Sequence, residues 1–303
     1  MNDTRQSSSP KREWLIGFLL LTLALIGISF YPVFLRLGRM WWISPDYSHG
    51  FLVAPFAGYL IYLKRSQWLP LLKSFEPGGF HIAAGIGLIL LAFCLRTIGI
   101  LGRALPVEGL SILVLAAGLI WLLMGPRGVW INWAAIAFLV FMLPLPSHLN
   151  RIVRGNLQTI ATDLSIICLQ TIGVPAIERG NVISLPNSEV GVVEACSGIR
   201  ILVSLAAIAV GMAVLSETNW LRRTLLMVAV VPVALIANVS RIVMTAIGHE
   251  YFPTWSAEIH DIAGWVMIAL AVILLILVKR FLAALLITND QEKIPVAGDL
   301  AVR

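Results

Sequence analysis

Three residues in this chain have the types and the spacing for an acyl transfer: Cys196, Arg241 and His260. Cys196 stands in V-V-E-A-C-S-G-I-R, residues 192–200, a short polar island that opens onto an apolar run starting near Ile199. Ser197 and Gly198 let backbone approach backbone at the mouth of that run, where a helix has unpaired N–H groups and the positive end of its dipole. A thiolate is stabilised there, and more so beside an arginine. Arg241 sits in N-V-S-R-I within an otherwise apolar stretch, and His260 opens the last apolar run in H-D-I-A-G-W. A histidine can raise the thiolate population and later protonate a leaving amine. A guanidinium that cannot deprotonate can hold the oxyanion of a tetrahedral intermediate where the dielectric is low.

Each of these residues has a plainer explanation when taken alone. Cys196 has the makings of a small buried cysteine at a helix entry, Arg241 of a snorkelling arginine, and His260 of an interfacial histidine bonded to a backbone carbonyl. His249 is the rival base, but it follows a helix end and serves equally as a solvated C-terminal cation. Around the three, Asn238 lies on the face of Arg241 and is suited to orienting it. Arg200 shares the mouth of the Cys196 helix, to hold a substrate carboxylate or to pair with Glu194. Asp46 and His49 either line the site from the amino-terminal half or belong to an interfacial loop. Trp255 and Trp265 fit belt aromatics better than substrate stackers.

The elements that must position these residues are membrane helices. Of 303 residues, 59% are hydrophobic and 13% charged, against about 25% charged in soluble domains. The net charge of +6 comes from basic residues scattered between apolar runs, so it argues for orientation in a bilayer and against nucleic acid. The three cysteines have neither metal nor disulfide spacing, and Cys94 and Cys168 lie inside apolar stretches. The chemistry outlined asks for no metal and no cofactor.

In chain order, residues 1–13 read as a disordered cytoplasmic tail. Residues 14–31 form a first span that stays in place, since no small-residue cleavage site follows it. Residues 32–50 read as aqueous or interfacial, with Trp41 and Trp42 at the headgroups, and end in P-D-Y-S-H-G. A short apolar run, 51–63, leads to a basic loop with Lys64, Arg65 and Lys73. Spans are expected at 80–101, 109–124 and 129–143, the last two joined by a tight Gly-Pro-Arg-Gly turn around Arg127. Pro144-Leu145-Pro146 stops the third. Residues 150–173 mix polar and apolar positions throughout, which suits a helix lying along the interface or lining a cavity better than one facing lipid. Residues 178–193 alternate around a Pro-Asn-Ser turn and read as an extramembrane hairpin. Spans at 199–215, 224–247 and 262–287 precede a polar cytoplasmic tail, 288–303. The expected architecture is an all-α polytopic membrane protein with about eight transmembrane helices, one interfacial helix and a short hairpin, forming a single domain over 14–287.

With the amino terminus inside and 150–173 not crossing, all five lysines fall on the cytoplasmic side, while the outer side and the membrane interior keep only arginines. Both termini are then cytoplasmic, and Cys196, Arg241 and His260 lie at the outer face.

E-A-C-S-G-I-R, N-V-S-R-I and H-D-I-A-G-W, in that order on three consecutive apolar runs, resemble the Cys–Arg–His set of the exosortase/archaeosortase family, on its bacterial side. D-Y-S-H-G-F-L and F-M-L-P-L-P resemble it too, so the likeness spans roughly residues 40–275. It implies a transpeptidase of the bacterial inner membrane. Its substrates would be exported proteins with a C-terminal tail made of a Pro-Glu-Pro-type motif, a hydrophobic helix and a basic end. Such an enzyme cuts near the motif and passes the acyl group to an acceptor (a sugar or a lipid), in connection with extracellular polysaccharide. By the same resemblance Cys196 is the nucleophile, Arg241 the oxyanion stabiliser and His260 the acid/base. Some members carry a soluble domain after the last span; here only a short tail follows, so any partner activity would come from a separate chain. The competing readings are an intramembrane protease that only hydrolyses, a transporter, and a non-catalytic subunit. Polar residues gathered at one face, with no internal repeat, speak against a transporter.

Overall fold

The computed structural model describes residues 10–76, 78–192, 198–216 and 219–286, and side chains from residue 24 onward. The chain divides into two compact units, 1–150 and 151–303.

The first unit begins with α1, Pro10–Ile43. The expected break at Tyr31 does not occur: the helix continues through Pro32 to Ile43, well into the stretch read as aqueous. Proline removes one hydrogen bond from a helix interior, but Phe30, Val33 and Leu37 around it are almost wholly buried, and that packing keeps the path helical. A short 3-10 turn, Pro45–Tyr47, leads into α2, Gly50–Leu63. The basic stretch expected as a loop is helical as well: α3, Arg65–Ser74, has no buried residue.

Next come α4, Gly79–Leu101, and α5, Leu105–Phe138. They pack antiparallel through small residues, Gly85 against Leu122 and Gly99 against Glu108. A Cβ on Gly99 would come within 2.7 Å of the Glu108 backbone nitrogen, so only glycine permits this approach. The buried Glu108 carboxylate (3% exposed) takes an ion pair from Arg36 of α1. At Gly125 (φ 68°, ψ −169°) α5 breaks, in a backbone region that side chains avoid. The second half runs back along the first, because Leu143 abuts Gly109; a straight helix would hold them about 50 Å apart. The tight Gly-Pro-Arg-Gly turn is therefore present.

In the second unit, most of α6, Ser147–Thr171, precedes three short antiparallel strands: β1 Ile177–Arg179, β2 Val182–Ser184 and β3 Glu189–Gly191. The expected hairpin gains a strand because Gly180 (φ 67°) turns β1 back onto β2. Three helices follow: α7 Gly198–Ser216, α8 Trp220–Tyr251 and α9 Ser256–Leu285. One core joins α6 and the sheet to α8 through Ala161, Leu169, Ile183, Val190, Val192, Ile242 and Ala246. A second joins α7, α8 and α9 through Leu205, Leu226, Val233, Met267 and Leu275.

Among the described residues, five helical stretches are long and apolar enough to cross a membrane: Gly79–Leu101, Leu105–Met142, Gly198–Ser216, Trp220–Tyr251 and Pro253–Leu285. The chain is thus an all-α membrane protein, with its strands confined to one small sheet.

Candidate active site

Helices α8 and α9 form an antiparallel pair with small residues at their contacts. Gly248 of α8 lies against the Ile259 side chain, and Gly264 of α9 faces the Arg241 guanidinium, which a Cβ on Gly264 would meet at 3.9 Å. That alignment sets Arg241, one turn after Asn238, opposite the first turns of α9. There Arg241 Nη2 lies 3.0 Å from His260 Nε2, both side chains half-buried. A guanidinium has no acceptor, so it donates and Nε2 accepts, which puts the ring proton on Nδ1 of a neutral imidazole. Of the two candidate histidines, His260 is the one that meets Arg241; His249 is half-buried in the last turn of α8.

The mouth of α7 joins the same end of the bundle. Gly198 opens that helix between Asn238 and Leu157, and a Cβ on it would sit 3.3 Å from Asn238 Nδ2 and 3.7 Å from Leu157 Cβ. Asn238 is 3% exposed. Cys196 and Glu194 lie outside the described residues, and Arg200 is half-buried in the first turn of α7.

The model of the transmembrane exosortase family matches residues 41–277 of this chain. The chain belongs to that family. No curated protein and no solved structure matches it.

In this exosortase the two amino-terminal motifs hold each other. Pro144 and Pro146 supply no N–H to the turn before them, leaving carbonyls of the 3-10 segment Leu139–Met142 in need of donors. His49 Nε2 donates to the Phe141 carbonyl at 3.0 Å, and Trp41 Nε1 to the Met142 carbonyl at 2.9 Å. Burial lowers the pKa of the His49 imidazole, and its bond to the Phe141 carbonyl opposes that shift. Asp46 sits half-buried in the 3-10 turn just before. Trp255 and Trp265 are 63% and 76% exposed, as belt aromatics would be.

Sequence reasoning missed Glu250. It receives hydrogen bonds from Asn187 N (3.2 Å), Asn187 Nδ2 (2.7 Å) and Ser188 Oγ (3.0 Å), which fasten the turn between β2 and β3 to the end of α8. The available signal was its position: a carboxylate in a helix's last turn opposes the dipole and needs donors from elsewhere.

Proposed function

We propose that this exosortase is a membrane-embedded cysteine transpeptidase. It cleaves the C-terminal sorting tail of exported proteins through a thioacyl intermediate on Cys196 and transfers them to a sugar or lipid acceptor, in connection with extracellular polysaccharide. The observation that carries the reading is the Arg241–His260 contact at 3.0 Å, on the helices that follow the Cys196 motif. Family membership over 41–277 supports the sorting role. Gly198, two residues after Cys196 in the sequence, abuts Asn238 one turn from Arg241.

In the first step His260 takes the proton of the Cys196 thiol, and the thiolate attacks the scissile carbonyl carbon to form a C–S bond. Arg241 donates to the oxyanion. His260 gives a proton to the leaving amine, the C–N bond breaks and the tail departs. An acceptor hydroxyl then loses its proton to His260 and attacks the thioester, releasing the thiolate. In the resting contact Arg241 occupies the His260 lone pair, so the guanidinium must turn toward the oxyanion before the ring can act. In this reading Glu194, Arg200 and Asn238 assist in substrate binding.

Residues 14–287 are taken as one domain with about eight spans, α6 lying at the interface and the sheet outside the bilayer. Both termini face the cytoplasm and the site opens outward from the inner membrane. Labelling with an impermeant maleimide in a background without the native cysteines tests this. Ser188→Cys should react from outside, and Lys73→Cys only after the membrane is opened. Reaction of Ser188→Cys only from inside would remove both the topology and the mechanism. The reaction itself is tested by co-expression with a tailed reporter: a conjugate that depends on Cys196 is expected, whereas a free carboxylate as the sole product would make the enzyme a hydrolase.

A further inference from the structure

Beside the mouth of α7, two buried amide side chains have hydrogen-bonding atoms with nothing to bond. Asn238 is 3% exposed and Gln158 6% exposed. Among the described residues, Asn238 Oδ1 and Gln158 Nε2 have no hydrogen-bond partner. Two turns further along the same faces, Ser165 (0% exposed) and Thr245 (1% exposed) repeat the pattern, with both hydroxyls buried and unbonded. The two faces meet in one core, where Ala161 and Leu169 of α6 cluster with Val239, Ile242 and Ala246 of α8. Buried polar groups are normally satisfied, and leaving one without a partner is expensive. Four on two facing helices, beginning where Gly198 touches both Asn238 and Leu157, mark a place that a polar ligand completes.

We propose that this seam between α6 and α8 is the binding slot for the main chain of the substrate's sorting motif, an assignment that rests on the function proposed above. The chemistry of the unbonded atoms selects the ligand class. Asn238 Oδ1 accepts from a peptide N–H and Gln158 Nε2 donates to a peptide C=O, so together they recognise one amide group. The Ser165 and Thr245 hydroxyls, able to donate or accept, serve the next amide along. Seven residues of helix separate the two levels, about 10 Å, which matches about three residues of extended chain. The slot reads main chain and leaves side-chain selection to its rim, and it lies beside Asn238, one turn from Arg241.

The test uses the full-length enzyme in membranes, a tailed reporter, and Gln158→Leu and Thr245→Val variants. Each removes one bond to the substrate, so KM for the reporter should rise about tenfold, with kcat within about threefold and iodoacetamide alkylation of Cys196 unchanged. Should either variant fail to fold, Gln158→Cys in a Cys196→Ala background carries the test. It should form a disulfide with a reporter bearing one cysteine in its motif, and not with one whose cysteine lies ten residues away. Unchanged KM together with no disulfide would overturn the slot while leaving Cys196-dependent processing intact. Unchanged KM with a shifted ratio of hydrolysis to transfer would make the seam a water path and equally overturn the peptide assignment. Failure of the wild type to process any tailed reporter would remove the slot along with the reading beneath it.

Discussion

Arg241 Nη2 donates to His260 Nε2 across 3.0 Å, so a guanidinium and an imidazole on neighbouring antiparallel helices are held as one unit. If the two act together in catalysis, their substitutions must not add. Arg241→Lys loses the planar fork of donors, and its turnover of a tailed reporter should fall about 100-fold or more. His260→Ala should lose a similar amount, and His249→Ala much less. The double variant should be within about threefold of the worse single variant. Losses that multiply would show that the contact is incidental.

The spacing of α8 and α9 sets that contact, and two glycines test it in opposite directions. A Cβ on Gly248 would come 2.6 Å from Ile259 Cγ2 and 3.1 Å from Ile259 Cβ, whereas one on Gly264 meets Arg241 only at 3.9 Å. Gly248→Ala should therefore cost about 1–3 kcal/mol through overpacking and slow processing by displacing His260, and Ile259→Ala should restore part of both. Gly264→Ala should match the wild type in melting temperature and turnover. The reverse ranking would mean that the helices are spaced by other contacts.

The start and end of α4, the three helices of the carboxy-terminal bundle and the residues they carry were legible in the sequence, because single polar residues interrupt long apolar runs at defined points. The turn at Gly125 was legible too, from Gly-Pro-Arg-Gly. The continuation of α1 through Pro32 was not: local proline chemistry argues for a break, and only tertiary burial of Val33 and Leu37 overrides it. The pairing of His49 with Phe141 and of Glu250 with Asn187 joins residues 92 and 63 positions apart, which no local pattern encodes. Gln158 and Ser165 of α6 are buried, and the mixed pattern of 150–173 does not by itself tell a face along the interface from one lining a cavity.

Glu250 should act as a clamp on the sheet. Glu250→Ala removes three acceptor contacts from Asn187 and Ser188; with the group half-exposed, the local cost is about 1 kcal/mol. Amide exchange at Val190 and Val192 should then speed up about fivefold, and alkylation of Cys196 should change in rate, because β3 leads into its segment. Glu250→Gln, which keeps one acceptor, should lie between. Unchanged exchange at Val190 would mean that core packing alone fixes the sheet.

His49 gives the amino-terminal unit a pH dependence. Its pKa is lowered below the ordinary 6.5, first by burial, so the unfolded chain takes up the proton before the folded one does. Stability should therefore be level above pH 6.5 and fall as the pH drops below it, until the folded ring also protonates. His49→Gln, whose amide can still donate to the Phe141 carbonyl, should flatten this decline in thermal melts between pH 7 and 5. A decline of the same slope in the variant would assign it to other groups.

The central claim is that Cys196 carries the acyl group, and hydroxylamine trapping during processing of a tailed reporter tests it most directly. Wild type should yield the reporter as a C-terminal hydroxamate, detected by mass. Cys94→Ala and Cys168→Ala should yield it at nearly the same level, and Cys196→Ala and Cys196→Ser should yield essentially none. Full processing of the reporter by Cys196→Ala, with no hydroxamate from any variant, would contradict the cysteine mechanism.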